Sequence, residues 1–182
     1  PELKERVLAG ELFKFNCETC GTMSICPFPV LYHDMDKKLF IYYEPNDPSS
    51  LEKMLNDDES LGMDPSYIKR ITTDISLFLE KVQLLDQGYD DKIIEICKIA
   101  AHMQTKQQHP DIEIDSLLFD PTKDDAVFGC IHDGSIIGSI GFSTIFYDEL
   151  QKDYAEILNQ DTALIIDKMW TVNFLNEILP EA

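Results

Sequence analysis

Basic residues are scarce in this chain. Its 182 residues include 15 Lys and Arg against 34 Asp and Glu, which gives a formal net charge of -19 at pH 7. Phosphate backbones and anionic lipids are bound by clusters of basic side chains, so this composition argues against nucleic acid and membrane surfaces as partners. It favours a protein partner with a basic surface, because complementary charge speeds encounter.

Long apolar runs are also missing. No stretch approaches eighteen uncharged apolar residues, and the N-terminal PELKERVLAGELF has neither a basic-then-apolar signal nor a small-residue cleavage site. The five cysteines are odd in number and irregularly spaced, which argues against a disulfide framework. These absences predict a cytoplasmic protein in a reducing compartment. The first residue is Pro1 rather than methionine, which favours a fragment or a processed product.

The first 47 residues contain three runs typical of β-strands. They are ELFKFN (11–16), SICPFPVLYH (24–33) and KKLFIYYE (37–44). Residues 1–47 therefore predict an antiparallel β-meander, the first segment of an α+β protein. Pro27 and Pro29 lack the N–H that a ladder needs, so the middle run is expected to bulge or to lose pairing there.

Residues 48–182 predict an α+β body that begins with helices. Ser49 and Glu52 have capping-box spacing, which predicts a short helix to about residue 56. Asp64 before a proline resembles a helix N-cap, and apolar residues then recur at spacings of three and four up to Leu85. Gly88 ends that pattern, and a second amphipathic stretch follows. Together they predict a helical hairpin over residues 65–106.

A β-hairpin is predicted over residues 126–143 because Asp133-Gly134 suits a type I′ turn. That loop places Gly129 opposite Gly138, a bare patch of backbone where either a helix packs closely or a ligand approaches. The remaining predictions are a helix over 147–158, a strand over 162–166 and a helix over 168–179 capped by Asp167.

Cys17 and Cys20 are the candidate metal ligands. Residues 17–21, Cys-Glu-Thr-Cys-Gly, have the C-x-x-C-G form of a zinc knuckle, in which two thiolates converge on one ion. Structural zinc needs four ligands, and Cys26 and His33 alternate onto opposite faces of the strand that leaves the turn. Zinc is therefore expected in a longer protein, and this chain is expected to hold no metal or other cofactor. Two reduced thiols in a plain β-turn remain the alternative.

Cys130 and His132 form the second candidate pair. They alternate onto one face of the predicted hairpin, which would suit a thiol-dependent enzyme. No third, orienting group is identifiable, and the same spacing occurs in any half-buried strand. We therefore favour a non-enzymatic protein-binding or regulatory module, with an enzyme that uses this pair as the alternative.

Three stretches resemble one known family. GELFKFNCETCGTMSICPFPVLYHDMDKKLFIYYEP (10–45), FLEKVQLLDQGYDDKIIEICK (78–98) and IIDKMW (165–170) resemble the bacterial CpXC-domain family, which has paired Cys-Pro-x-Cys knuckles. The resemblance implies a first knuckle some tens of residues upstream and a second at Cys17 and Cys20, together a four-cysteine zinc ribbon. Glu18 stands where the family's proline is expected, and the first knuckle is absent. The resemblance thus implies a truncated zinc site and no particular reaction.

Overall fold

The fold was examined in a computed structural model, which describes residues 2–57, 64–122 and 125–178. Contacts divide the chain into two compact units, one ending at Gln83 and the other beginning at Leu84. The predicted α+β class is confirmed, with antiparallel strands near the N-terminus, helices, and a second small sheet followed by C-terminal helices.

The first unit contains short helices and two sheets. Its elements are α1 (Glu2–Leu8), a 3-10 turn (Glu11–Phe13), β1 (Lys14–Asn16), β2 (Met23–Ile25), β3 (Val30–Asp34), β4 (Leu39–Tyr43), α2 (Pro48–Asn56), β5 (Ile68–Thr72) and α3 (Ile75–Asp86), the last of which runs into the second unit. β1 and β2 form an antiparallel ribbon, while β3, β4 and β5 form a separate sheet in which β5 runs parallel to β4.

The N-terminal strands lie in two sheets rather than in one continuous meander. The predicted run 24–33 is split into β2 and β3, and Pro27 and Pro29 fall in the unpaired stretch between them. Proline cannot donate a ladder hydrogen bond, which explains the break. The third strand beside β3 and β4 is β5, so the predicted boundary between residues 47 and 48 lies inside the first unit.

The predicted helix start at residue 65 is wrong. Residues 68–72 form strand β5, so the helical part of the predicted 65–106 hairpin begins at Ile75. Asp64 accepts hydrogen bonds from the Ser66 N–H (2.9 Å) and hydroxyl (2.6 Å), in a turn that leads into the strand. The cap of α3 is Asp74, which accepts from the N–H groups of the first helical turn at 2.7 and 3.1 Å.

A second cap also differs from its prediction. α2 begins two residues earlier than the Ser49 cap implied, because Asp47 accepts from the Ser50 N–H at 3.1 Å. Pro48 then occupies the first helical position, where its missing N–H costs nothing.

Phe13 is at the centre of the core of the first unit. Only 2% of its surface is exposed, and its ring packs against Phe28, Tyr43 and Phe78 with centroids 5.7, 5.3 and 6.1 Å apart. These contacts join the residue before β1 to β4 and α3. Burying one such ring contributes about 2 kcal/mol of transfer free energy.

The second unit is a three-stranded antiparallel sheet with helices. After the end of α3 it contains α4 (Asp91–Gln108), β6 (Ser116–Asp120), β7 (Val127–His132), β8 (Ser135–Gly141), α5 (Thr144–Gln160) and α6 (Lys168–Ile178). The strand order is β6-β7-β8, and α4 packs against α5, α6 and β6. The sequence analysis did not predict β6.

The helix boundaries around Gly88 agree with the sequence. Gly88 has φ +83°, and the Tyr89 N–H donates to the Leu84 carbonyl at 3.0 Å, which closes the end of α3 in the manner of a Schellman cap. Asp90 caps α4 by accepting from the Lys92 N–H at 2.9 Å. The antiparallel packing of the two helices stays a prediction.

The hairpin turn is confirmed, but its register is not. Asp133 (φ 47°) and Gly134 (φ 70°) both have positive φ, as a type I′ turn requires. A β-bulge then shifts the pairing by one residue, so Cys130 faces Gly138. The predicted pairing of Gly129 with Gly138 is wrong, because a bulge places one extra residue on one strand.

The predicted strand over 162–166 is also wrong. These residues precede α6 without belonging to any strand, although Leu164 and Ile166 are buried. Alternate burial therefore arises here from packing rather than from sheet pairing. The predicted cap of the last helix is confirmed, since Asp167 accepts from the Trp170 N–H at 2.9 Å.

Candidate functional site

The Cys17–Cys20 turn joins the two strands of the β1–β2 ribbon. The Cys17 N–H donates to the Thr22 carbonyl at 2.9 Å, and the Gly21 N–H donates to the Cys17 carbonyl at 2.8 Å. Gly21 has φ +70°, a conformation that glycine adopts without steric cost. The turn therefore has the local form that a zinc knuckle requires.

The surroundings of the Cys20 thiol favour its ionised form. It is exposed, and its Sγ lies 3.2 Å from the Thr22 hydroxyl oxygen. Hydrogen bonds from the Thr22 side chain and backbone, and from Cys17, lower the Cys20 pKa from 9.0 to about 7. Because the thiolate is the form that binds metal, this environment suits a ligand.

A structural zinc site needs four ligands, and the Cys17–Cys20 turn offers two thiols. Within residues 2–57, 64–122 and 125–178, no other His, Cys, Asp or Glu joins Cys17 and Cys20 in a group of three. Cys26 is exposed and its N–H donates to the Phe13 carbonyl. His33 instead stacks on Phe40, with ring centroids 4.3 Å apart. When bound, zinc would crosslink the turn through its thiolates.

The ribbon that carries the knuckle is exposed on both faces. Every residue of β1 and β2 is exposed, including Phe15 (57%), Met23 (61%) and Ile25 (66%). An isolated two-stranded hairpin is marginal in water. A bound ion or a covering surface would stabilise this ribbon.

The aromatic side chains around β3 and β4 are divided between a stacked group and the core. His33, Phe40 and Tyr67 stack in sequence, with 4.6 Å between the Phe40 and Tyr67 centroids. Tyr43 instead belongs to the core, where only 3% of its surface is exposed. Tyr67 was missed because the sequence placed it inside a helix.

Cys130 and His132 have separate surroundings. Cys130 is 5% exposed, and burial raises its pKa, which suits a core thiol rather than an activated nucleophile. His132 lies beside carboxylates instead, with its Nδ1 3.4 Å from Asp115 Oδ2. The structure thus does not join these two residues into a thiol–imidazole pair.

Sequence reasoning missed the acidic residues around His132. Glu113 and Asp115 precede β6, and Asp133 lies in the hairpin turn. They approach His132 because the Asp115 N–H donates to the Ile131 carbonyl at 2.8 Å, which aligns the start of β6 with the end of β7. Recognising β6 as a strand would have found them.

β8 is an open sheet edge. It pairs with β7 on one side and with no described strand on the other. Six of its seven residues are exposed, and Ile136 reaches 75%. Residues 134–147 contain no charged side chain, although 27% of the chain is charged.

The fold and the knuckle together define an α+β protein with a C-x-x-C-G turn between two short strands. The family described as "CpXC protein" matches residues 1–98, more than half of the chain, so this protein belongs to the CpXC family. No curated protein and no solved structure matches the chain. Among the helices in the described ranges, none is long and apolar enough to cross a membrane.

Proposed function

We propose that this protein is a non-enzymatic, cytoplasmic protein-binding or regulatory module, and that β8 binds an extended segment of a protein partner. The observation that supports this most directly is the exposed, uncharged edge of β8. An extended peptide adds to such an edge through main-chain hydrogen bonds, while its alternate side chains meet the strand's neighbours.

The composition of β8 supports a binding role. Soluble proteins commonly protect sheet edges with lysine, proline or inward-pointing charges. β8 has the sequence SIIGSIG, with no charge and no proline, and one bulge at Ile137 interrupts its pairing with β7. At Gly138 and Gly141, an added Cβ would meet nothing within 4 Å, so the face of the sheet is uncovered at both positions.

The charge of the second unit indicates the chemistry of the partner. Residues 84–182 contain 6 Lys and no Arg against 19 Asp and Glu, a net charge of -13. A partner strand flanked by lysine or arginine would be attracted by this field, whereas an acidic strand would be repelled. The proposed partner is therefore an extended, uncharged segment with basic flanks.

A pair of synthetic peptides tests this proposal. Both would alternate valine and threonine, one with two lysines at each end and the other with two glutamates. We expect the lysine-flanked peptide to bind and its affinity to fall with added salt, with the glutamate-flanked peptide at least about tenfold weaker. Fluorescence anisotropy with the full chain measures both.

Two variants at equally exposed positions distinguish peptide binding at the β8 edge from non-specific binding elsewhere on the surface. Ile136→Lys places a charge on β8, and Ile145→Lys places one at an equally exposed position in α5, 72% against 75%. The first should abolish peptide binding and the second should not. Equal effects, or no binding of either peptide, would refute the proposal.

For the knuckle, we propose that Cys17 and Cys20 bind zinc together with a second cysteine pair in a longer protein. The two thiols on one tight turn and the lowered pKa of Cys20 support this. Zinc content is measured in this chain and in a protein extended upstream. Stoichiometric zinc in the longer protein only, lost in Cys20→Ser, is expected. Zinc in neither would leave the thiols as ordinary turn residues.

A further inference from the structure

His132 lies among three carboxylates at the end of the β7–β8 hairpin. Its Nδ1 is 3.4 Å from Asp115 Oδ2, and its Nε2 is 3.7 Å from Asp133 Oδ2 and 3.8 Å from Glu113 Oε2. One ligand atom each from Asp115, His132 and Asp133 lie within 4.8 Å of one another. An ion binds one of the two ring nitrogens, and for bonds of about 2.1 Å two ligands of a tetrahedral ion are about 3.4 Å apart, so the three ligand atoms would move closer together around an ion.

Backbone hydrogen bonds fix the segments that carry these groups. Asp115, just before β6, is aligned with β7 through its N–H bond to the Ile131 carbonyl at 2.8 Å. The Asp133 N–H donates to Asp115 Oδ2 at 2.9 Å, so the hairpin turn is joined to the start of β6. His132, the last residue of β7, is the one member of the group that lies on a strand.

One imidazole nitrogen is buried without a hydrogen bond. His132 Nδ1 is inaccessible to solvent and makes no hydrogen bond among the described residues, although Asp115 Oδ2 lies 3.4 Å from it. Such a group costs about 1–3 kcal/mol unless something satisfies it. A cation that brings the imidazole and the carboxylates together would remove that cost.

We propose that Asp115, His132 and Asp133 bind a divalent transition-metal ion through one imidazole nitrogen and one oxygen of each carboxylate. One imidazole and several carboxylates suit Zn²⁺, Co²⁺, Ni²⁺ or Mn²⁺ rather than a soft, thiolate-selecting ion. This site shares no residue with the cysteine knuckle. It is also independent of the β8 edge, so either proposal stands without the other.

Cobalt(II) tests the site because its spectrum distinguishes the ligands. The probe is Co²⁺ added to the full chain carrying Cys17→Ser and Cys20→Ser, which removes the knuckle thiols. We expect saturable binding with a visible d–d spectrum and without the intense near-ultraviolet band of cobalt thiolates. Ni²⁺, which stands above Co²⁺ in the Irving–Williams order, should displace the bound Co²⁺.

Single substitutions locate the binding. In the same background, His132→Gln and Asp115→Asn should each weaken Co²⁺ binding at least about tenfold, which is 1.4 kcal/mol. His109→Gln, which alters an exposed histidine elsewhere, should leave it unchanged. Unchanged fluorescence of Trp170 shows that each variant is folded. Absent binding, or equal binding by His132→Gln and the control, would overturn the proposal and leave His132 in an ion cluster without metal.

Discussion

Removing the ammonium of Lys92 should destabilise the second unit. Lys92 Nζ donates to the Leu158 carbonyl at 2.8 Å and to the Asp161 carbonyl at 2.6 Å, and it lies 3.1 Å from Asp161 Oδ1. The Lys92 side chain is 8% exposed and that of Asp161 is 25% exposed. One buried cation thus binds the last carbonyls of α5 and the carboxylate beyond them.

The substitution Lys92→Met keeps most of the aliphatic stem and removes the charge. It leaves two carbonyl oxygens and one carboxylate without their donor. Breaking a buried ion pair from one side costs about 3–5 kcal/mol, and the partial exposure of Asp161 places this case near the lower end. We expect a loss of about 3 kcal/mol in the free energy of unfolding. With a urea m-value of about 2 kcal/mol/M, the midpoint falls by about 1.5 M.

The fluorescence of Trp170 provides the assay. It is the single tryptophan of the chain, and its indole N–H donates to Asp161 Oδ2 at 3.1 Å, so it reports on the same cluster. Lys152→Met, on the exposed side of α5, is the control and should change stability by no more than about 0.5 kcal/mol. A loss below about 1 kcal/mol in Lys92→Met would refute the reasoning.

The same cluster predicts a pH dependence. Burial of Asp161 acts to raise its pKa, but hydrogen bonds from Ala163, Trp170 and Lys92 outweigh burial and lower it. A carboxyl whose folded pKa is lowered contributes stability that is present above its unfolded pKa, about 3.9, and is lost as pH falls through the folded value. The urea midpoint should therefore fall as the pH is lowered through the acidic range. In Lys92→Met the midpoint should fall less steeply with pH.

Three further outcomes follow from caps, turns and burial. Asp167→Ala removes the hydrogen bond from the Trp170 N–H and should lower the free energy of unfolding by about 1 kcal/mol, measured by urea unfolding. An unchanged midpoint would contradict the role of Asp167 as a cap. Gly88→Ala forces a Cβ into φ +83° and should also cost about 1 kcal/mol, whereas a gain would contradict the left-handed conformation. Under native conditions a thiol reagent should modify exposed Cys26 well before buried Cys130, and peptide mass spectrometry would measure the order of modification. Early modification of Cys130 would support the thiol-enzyme alternative.

Local chemistry explains which predictions held. The Asp133-Gly134 turn, the end of α3 near Gly88 and the Asp167 cap each depend on a few neighbouring residues, and the structure confirms all three. The C-x-x-C-G turn is equally local, and its backbone bonds are present. The α+β class and the CpXC family were also readable from the chain, because strand runs, helix periodicity and the knuckle each occupy contiguous segments.

Other features required contacts between distant segments. Isoleucines at residues 68 and 71 fit a helical spacing of three. They lie on β5, however, because the edge of β4 that does not face β3 pairs with a parallel strand there. The bulge at Ile137 shifts the β7–β8 pairing by one residue, so the two glycines do not face each other. No residue pattern near Ile137 predicts this bulge.

The sequence by itself determined the charge, the class of fold, the family and the knuckle that offers two thiol ligands. Tertiary structure alone decided that β5 completes the first sheet, that β8 is left as an edge, and that carboxylates surround His132. The physical reason is separation along the chain. Turns and caps are set by interactions within a few residues, whereas strand partners and side-chain clusters depend on which distant surfaces the folded chain brings together.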